Sequence, residues 1–248
     1  MPTGVKTTAK FWLLYFLFTI AVVGTMILVP FYFPVYWLSG PVRRLRGVHD
    51  EVMRWDIGWL LRLQPWLNLD AQIDLPGRSK DKGVLLVSNH RSHLDVFILL
   101  SKIAGIRILA KSTLFKIPFL GLMMRASKQI RVERGRLDAW VKAMEDVRIK
   151  HGQGERVHIF PEMTRCPPGH KGLLPFTLGP FAAAIQEDVV VIPLVFRDTD
   201  LAWPKGEAGL RFRQPIVART LKLVRAKDFA SAEDLRTAVY QQIENALA

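Results

Sequence analysis

Two residues that lie close together in the sequence, His90 and Asp95, have the side chains needed for general base chemistry. A histidine whose first ring nitrogen is held by a carboxylate keeps its second nitrogen free to take a proton from a hydroxyl group. Inside one α-helix the two side chains would stand about 140° apart around the axis, at ~100° per residue, and could not meet. They can meet only if His90 precedes the helix. The S-x-x-D form of residues 92–95 predicts this arrangement, with Ser92 as the N-cap and Asp95 in the first turn.

Two other interpretations of this stretch remain open. Asp95 could act only as a capping residue, with His90 an ordinary loop histidine, because S-x-x-D helix starts are common. His93 is a competing base, although we expect it to point away because it follows the cap directly. The sequence has no G-x-S-x-G nucleophile motif, so a histidine base would activate a substrate hydroxyl for direct attack.

The sequence around these residues predicts an α/β domain over residues 69–248. Residues 84–88 are a short apolar run, typical of a buried strand that delivers its following loop to the edge of a sheet. The candidate strands are 84–88, 106–110, 129–132, 157–160, 189–195 and 210–213, and the candidate helices are 94–103, 119–126, 137–151, 175–186 and 232–247. This alternation predicts a mixed, largely parallel sheet flanked by helices, with the chemistry at the strand ends.

The first 68 residues have a different character and predict a membrane-embedded segment. Residues 11–38 are uncharged and mostly apolar, and a helix over residues 11–29 would be roughly 28 Å long, close to the ~30 Å hydrocarbon core. Pro30 and Pro34 interrupt it, and apolar residues with several tryptophans then recur at helical spacing. We expect either a helical hairpin that enters one leaflet or a single spanning helix followed by a core-facing helix. The run is too long for a signal peptide core.

The charge of the chain predicts an anionic partner. The formal net charge is +13, which fits membrane lipid, a phosphorylated small molecule or nucleic acid. The sequence has no recognition motif in which basic and aromatic residues alternate, so we do not expect nucleic acid to be a partner. Cys166 is the only cysteine, which excludes an intramolecular disulfide and a cysteine-based metal cluster. This composition suits a membrane protein whose catalytic domain lies on the cytoplasmic face.

Four sequence blocks occur in a fixed order between about residues 83 and 196. They are Asn89-His90 with Asp95; Lys111 to Gly121 in the form K-x-x-L-x-x-x-P-x-x-G, followed by a strand that ends near Arg134; Phe160 to Arg165, similar to F-P-E-G-T-R; and Val191-Ile192-Pro193-Leu194, a V-x-P run. Together these blocks resemble the glycerolipid acyltransferases of the PlsC type, typified by 1-acylglycerol-3-phosphate acyltransferase.

The resemblance implies a reaction and a set of site residues. An acyl group would move from acyl-CoA or acyl carrier protein to the free hydroxyl of a lysophospholipid, with 1-acyl-sn-glycerol 3-phosphate as the first candidate and phosphatidic acid as the product. His90 would be the base and Asp95 its orienting carboxylate. The acceptor would be held by Lys111, Arg134, Glu162, Thr164 and Arg165. Neither a metal nor a tightly bound cofactor is implied, and the partners would be membrane lipids, the acceptor and the acyl donor.

The basic residues of this set also have a plainer interpretation as solvated surface charges. Two departures from the family pattern leave the acceptor open. Met163 stands where the family has glycine, and since methionine lacks the freedom of glycine at positive φ, we expect a reshaped loop. Thr177 and Leu178 stand where the family has two lysines. Another lysolipid, such as a lyso-ornithine lipid, is therefore an alternative acceptor, and a non-enzymatic protein that binds anionic membranes is an alternative of a different class.

Overall fold

The computed structural model describes residues 46–62, 64, 67–77, 83–118, 120–133, 135–206 and 215–247. The predicted membrane segment 11–38, the candidate strand 210–213 and Arg134 lie outside these residues. Within the described part of the chain, no helix is both long and apolar enough to cross a bilayer.

The described residues form a mixed α/β structure, as the sequence predicts. The strands are β1 (Asn68–Gln72), β2 (Val84–Ser88), β3 (Ile106–Lys111), β4 (Ile130–Val132), β5 (Arg156–Ile159), β6 (Val190–Arg197), β7 (Pro215–Thr220) and β8 (Val224–Arg225). The α-helices are α1 (Arg46–Arg62), α2 (His93–Lys102), α3 (Leu120–Ala126), α4 (Leu137–Gly152), α5 (Gly179–Gln186), α6 (Thr199–Ala202) and α7 (Ala232–Leu247). Short 3₁₀ helices cover Ser112–Lys116 and Ala226–Asp228.

All of these strands join one sheet, in the order β1-β7-β6-β2-β5-β3-β4, with β8 paired to β6. The neighbours from β6 to β4 in this order run parallel to one another. β7 is antiparallel to β6, and β1 is parallel to β7. The prediction of a mixed, largely parallel sheet is confirmed. Because five parallel strands end at the same edge, the loops after β2, β5 and β6 are close neighbours there.

Strand β2 is central because apolar layers cover both faces of the sheet. Its five residues are all buried. Leu85 and Val87 belong to the cluster that packs under α4, α5 and α7, whereas Val84 and Leu86 belong to the cluster under α2. A strand buried on both faces is apolar along most of its length, which accounts for the apolar run from Val84 to Val87.

Two sequence predictions differ from the structure in informative ways. The helix expected from residue 175 begins at Gly179, with Pro180 in its first turn. The residues before it are held in an extended course, since Leu174 and Thr177 donate their backbone N–H groups to Glu162 and to the carbonyl of Pro161. The strands β1 and β7, at one side of the sheet, were not predicted because neither has a strong apolar run: β1 alternates between exposed and half-buried residues, and only two residues of β7 are buried.

Helix α1, the first described segment, is fixed against the rest of the structure. It packs on α2. Its Asp50 accepts two hydrogen bonds from the buried guanidinium of Arg107 on β3, at 2.9 and 3.1 Å. Burial alone would raise the pKa of Asp50, but the hydrogen bonds from His49 and Arg107 outweigh it and lower that pKa to about 2. The pair therefore stays ionised and fixes α1 against the sheet.

Candidate active site

The start of α2 has the geometry that the sequence predicts. Ser92 has an extended backbone (φ −142°, ψ 163°) and acts as the N-cap, with its hydroxyl accepting from the backbone N–H of Leu94 at 3.3 Å. The Asp95 carboxylate accepts from the backbone N–H of Ser92 at 2.9 Å, which completes the capping box. His90 is left in the loop between β2 and α2.

His90 and Asp95 meet across this helix start. Nδ1 of His90 lies 3.0 Å from Oδ2 of Asp95. The same oxygen accepts the backbone N–H of Arg91 at 2.8 Å, and Asp95 is fully buried. An ionised carboxylate can only accept, so the ring nitrogen that faces it carries the proton and Nε2 of His90 is the basic nitrogen. The predicted juxtaposition of the two residues is present.

The backbone of His90 is held from the loop that follows β5. Its N–H donates to Oε1 of Glu162 at 2.7 Å, and its carbonyl accepts from the N–H of Cys166 at 2.8 Å. The second oxygen of Glu162 accepts from the N–H of Leu174 at 2.9 Å. Burial raises the pKa of Glu162, and the two backbone hydrogen bonds oppose the rise. Glu162 thus joins three segments of the site, while its predicted contact with the acceptor stays a prediction.

Asn89 fixes the same loop from the other side. Its amide nitrogen donates to the carbonyl of Phe196 on β6 at 2.8 Å, and its amide oxygen accepts the N–H of Phe196 at 2.8 Å. The side chain therefore replaces a strand in pairing with β6 just past the end of β2. This role explains why an asparagine precedes His90.

A column of rings supports the imidazole of His90. The ring of Phe160 stacks on it with centroids 3.8 Å apart and planes 20° apart. His158 meets the same phenyl ring edge-on at 4.4 Å, and its Nε2 lies 2.9 Å from Oγ of Ser88. Burial, reinforced by the charge of His90, lowers the pKa of His158 to about 3. His158 is therefore neutral at physiological pH and does not compete with His90 for a proton.

Met163 has an unusual backbone conformation. It adopts a left-handed backbone conformation, with φ of 57°, in the turn closed by its N–H and the carbonyl of Phe160 at 3.0 Å. Methionine therefore occupies a positive φ here, and its half-buried side chain packs on the core. The expected reshaping of the loop stays a prediction.

The other predicted acceptor residues lie at the same edge of the sheet. Thr164 and Arg165 follow Met163 directly, and both are half-buried. Burial lowers the pKa of Arg165 while the nearby Asp95 opposes the change, and the guanidinium remains a cation at neutral pH. Lys111 is exposed at the end of β3, two strands away from β2 in the sheet order. Arg134 lies outside the described residues, and its role stays a prediction.

His93, the competing base, has a different environment from His90. Its ring meets Trp203 edge-on at 5.5 Å. Burial lowers its pKa, and the charges of Arg165 and His90 lower it further. Across the described residues, no group of three His, Cys, Asp or Glu side chains is placed to hold a metal ion. His90, whose Nδ1 contacts Asp95, stays the predicted base.

Three contacts in the site were not predicted from the sequence. Phe160 begins the third sequence block, but nothing in the sequence indicates that its ring stacks on His90, and Lys205 was one cation among many. Lys205 lies just after α6, and its ammonium donates to the carbonyl of Arg165 at 2.9 Å. Nor does anything local to residue 89 show that it pairs with a residue more than a hundred positions later. All three depend on contacts between distant segments.

Comparison with known proteins agrees with this geometry. Residues 72–197 match the family model for Acyltransferase. The chain is 31% identical over 156 residues to a chloroplastic 1-acyl-sn-glycerol-3-phosphate acyltransferase of Brassica napus, covering 60% of this chain and 43% of that protein. It is 31% identical over 163 residues to a 1-acyl-sn-glycerol-3-phosphate acyltransferase of Saccharomyces cerevisiae, covering 63% of this chain and 52% of that protein. The chain thus spans about half the length of the curated relatives it matches.

A solved structure extends the likeness to almost the whole fold. The crystal structure of the 1-acyl-sn-glycerophosphate acyltransferase PlsC from Thermotoga maritima superimposes with a TM-score of 0.77 at 25% identity, covering 96% of this chain and 95% of that chain. The resemblance to PlsC-type proteins seen in the four sequence blocks is confirmed. With the family model spanning β2 to β6 and the His90–Asp95 pair within it, the chain belongs to the Acyltransferase family.

Proposed function

We propose that this protein transfers a fatty acyl group from an acyl thioester to the free hydroxyl of a lysophospholipid, with 1-acyl-sn-glycerol 3-phosphate as acceptor and phosphatidic acid as product. The observation that carries the proposal is the 3.0 Å contact between Nδ1 of His90 and Oδ2 of Asp95. This contact holds the imidazole in the form whose Nε2 can accept a proton.

The reaction follows from that geometry. Nε2 of His90 takes the proton of the acceptor hydroxyl as the hydroxyl oxygen attacks the carbonyl carbon of the thioester. The tetrahedral intermediate expels the thiolate of coenzyme A or of acyl carrier protein, and the imidazolium returns its proton to that sulfur. Asp95 stabilises the imidazolium between these steps. The acyl group ends on the acceptor oxygen, and no covalent bond to the protein forms.

The choice of acceptor rests on charge and on relatives. The half-buried Arg165 and the exposed Lys111 lie at the strand ends beside the site, where cations suit a phosphate monoester. The relatives from Brassica napus and Saccharomyces cerevisiae are named for transfer to 1-acyl-sn-glycerol 3-phosphate. Thr177 and Leu178, which lack the charge of the family lysines, are the reason to test other lysolipids as well.

The experiment is a panel of lysolipid acceptors with acyl-CoA and acyl carrier protein donors. Wild-type protein is expected to prefer the phosphate monoester acceptor. A positioned base typically contributes about 10²–10⁴-fold in rate, so His90→Ala should lower turnover by that factor. His93→Ala is the matched control and should keep most of the activity. Equal loss in both variants would contradict the assignment of His90, and transfer to none of the acceptors would favour a non-enzymatic membrane-binding protein.

The proposal includes a membrane location, with the apolar segment 11–38 embedded in the bilayer, α1 at the membrane surface and the catalytic domain on the cytoplasmic face. The apolar run 11–38 and the exposed Trp55 and Trp59 on α1 support it, because tryptophan favours the membrane interface. Flotation with vesicles that contain anionic lipid should recover the full-length protein, and replacing both tryptophans by alanine should weaken that binding. Full-length protein that stays in the aqueous fraction would contradict this part of the proposal.

A further inference from the structure

The segment after β6, residues 198–206, contacts both loops of the candidate site and is called the bridging segment here. It begins just beyond the part of the chain that matches the family model, residues 72–197. Toward the His90 loop, the carbonyl of Trp203 accepts from the hydroxyl of Ser92 at 2.8 Å, and Asp200 lies 3.3 Å from the guanidinium of Arg91. The segment is therefore built into the start of α2.

Its Lys205 reaches the other loop, which carries the predicted acceptor residues. The ammonium nitrogen donates to the carbonyl of Arg165 at 2.9 Å and lies 3.5 Å from the hydroxyl of Thr164. An ammonium group has three N–H donors, and these contacts use at most two of them. At least one N–H donor of Lys205 therefore remains for a further partner.

The charge around Lys205 and Arg165 also favours a bound anion. Lys205 and Arg165 are both half-buried cations on adjacent segments. Among the residues that the structure describes, no carboxylate lies within ion-pair distance of either one. Because Lys205 contacts the backbone of Arg165, an anion that reaches both side chains would be stabilised by two partly desolvated cations. A phosphate monoester carries close to two negative charges at neutral pH and suits this arrangement.

The turn that carries Thr164 lies beside residues 177 and 178, where the family has two lysines. Thr177 donates its N–H to the carbonyl of Pro161 at 3.0 Å, so residues 177 and 178 lie against this turn. Neither of them carries a charge. Lys205 brings a positive charge to the same turn from a different segment.

We infer that Lys205 binds the phosphate of the lysophospholipid acceptor together with Arg165 and thereby sets the preference for phosphate monoester acceptors. The inference rests on the proposed acyl transfer. Lys205 is a specificity residue in this scheme, since it contacts the head group and not the reacting hydroxyl.

The test measures KM and kcat for 1-acylglycerol 3-phosphate and for a zwitterionic lysophosphatidylcholine at saturating acyl-CoA. Lys205→Gln keeps a donor for the carbonyl of Arg165 and removes the charge, whereas Lys205→Arg keeps the charge. A hydrogen bond to a charged group contributes about 1.5–3 kcal/mol, so Lys205→Gln should raise KM for the phosphate monoester about 10–100-fold. KM for the zwitterionic acceptor and for the donor should stay unchanged, and Lys205→Arg should restore most of the affinity.

Lys227→Ala is the control, because Lys227 is an exposed lysine in the 3₁₀ helix after β8, beside the start of β6 and away from the strand ends that form the site. It should match wild type. If Lys205→Gln lowered Tm and reduced activity equally with both acceptors, Lys205 would only support the loop. That result would overturn the inference. Unchanged KM in Lys205→Gln, with an active wild type, would overturn the inference alone. A wild type that acylates no lysolipid would overturn the proposed function and the inference with it.

Discussion

One carboxylate oxygen of Asp95 lies 3.0 Å from Nδ1 of His90 and also accepts two backbone N–H groups at the start of α2. Helix capping and orientation of the base are therefore one structural feature in this protein. The carboxylate is fixed by backbone that cannot move without unwinding the helix, and it in turn fixes the imidazole. We expect the two roles to be separable by measuring rate and stability on the same variants.

Asp95→Asn should lower kcat by about 10²–10⁴-fold, because an amide can present an N–H to His90 and no longer stabilises the imidazolium. Because the cap is weakened, the free energy of unfolding of the protein should fall by about 1 kcal/mol. The double variant with His90→Ala should be no slower than His90→Ala alone, since groups that act as a unit are not additive. Wild-type kcat with lowered stability would show that Asp95 is only a cap.

Glu162→Gln tests the contact between the loop after β2, which carries His90, and the loop after β5. The carboxylate accepts from the N–H groups of His90 and Leu174 at 2.7 and 2.9 Å, and a glutamine can accept only one of them. The other buried N–H would face an NH₂ group, at a cost of about 1–3 kcal/mol. Urea unfolding should show that loss, and kcat should fall with it because the backbone of His90 shifts. Full stability together with a raised acceptor KM would instead indicate direct contact of Glu162 with the acceptor.

Phe160→Leu tests the ring column under His90. Loss of the stacked face, at 3.8 Å in the wild type, should let the imidazole tilt and lower kcat about 10-fold with little change in acceptor KM. Phe181→Leu is the control, since Phe181 is fully buried in α5 within the core. Both variants should lose comparable stability, about 1–2 kcal/mol. A similar fall of kcat in both would assign the effect to general loosening of the core.

The parts of this structure that the sequence predicts are those encoded locally. The S-x-x-D pattern gives the start of α2, and with it the meeting of His90 and Asp95. The apolar run 84–88 coincides with β2, and the predicted helix 232–247 coincides with α7. In each case the pattern is complete within one segment, and burial of β2 on both faces strengthens the signal.

The unpredicted parts depend on pairing between distant segments. β1 pairs with β7 almost 150 residues later, and neither strand has an apolar run strong enough to stand out. Asn89 pairs with Phe196, and Lys205 meets Arg165, only because parallel strands end at one edge of the sheet. Met163 shows the same principle for the backbone, where the surrounding turn overrides the preference of the residue for negative φ.

Met163 gives a direct test of that override. At φ of 57° a β-branched residue is strained more than methionine, so Met163→Val should destabilise the fold by about 1–3 kcal/mol. Met163→Gly removes the strain but loses side-chain packing on the core, and its net change should stay within about 1 kcal/mol. Urea unfolding of both variants measures the difference. A valine variant as stable as the glycine variant would mean that the loop has rearranged.

Two buried histidines should make the fold sensitive to mild acid. Burial lowers the pKa of His151 to about 4 and that of His158 to about 3, from an ordinary value of 6.5. Below pH 6.5 the unfolded chain gains protons that the folded chain does not accept, so stability is fully present above pH 6.5 and falls as the pH decreases. Each histidine should remove about 2 kcal/mol between pH 7 and pH 5.

His151→Leu isolates one of these contributions. His151 is almost completely buried against the backbone of Gly83, and neither ring nitrogen has a hydrogen-bond partner among the described residues. The leucine variant should therefore lose about 2 kcal/mol less than wild type between pH 7 and pH 5, measured by urea unfolding at each pH. His170→Leu, at an exposed position, should follow the wild-type curve. A leucine variant whose stability falls as steeply as wild type would show that His151 already binds a proton in the folded state.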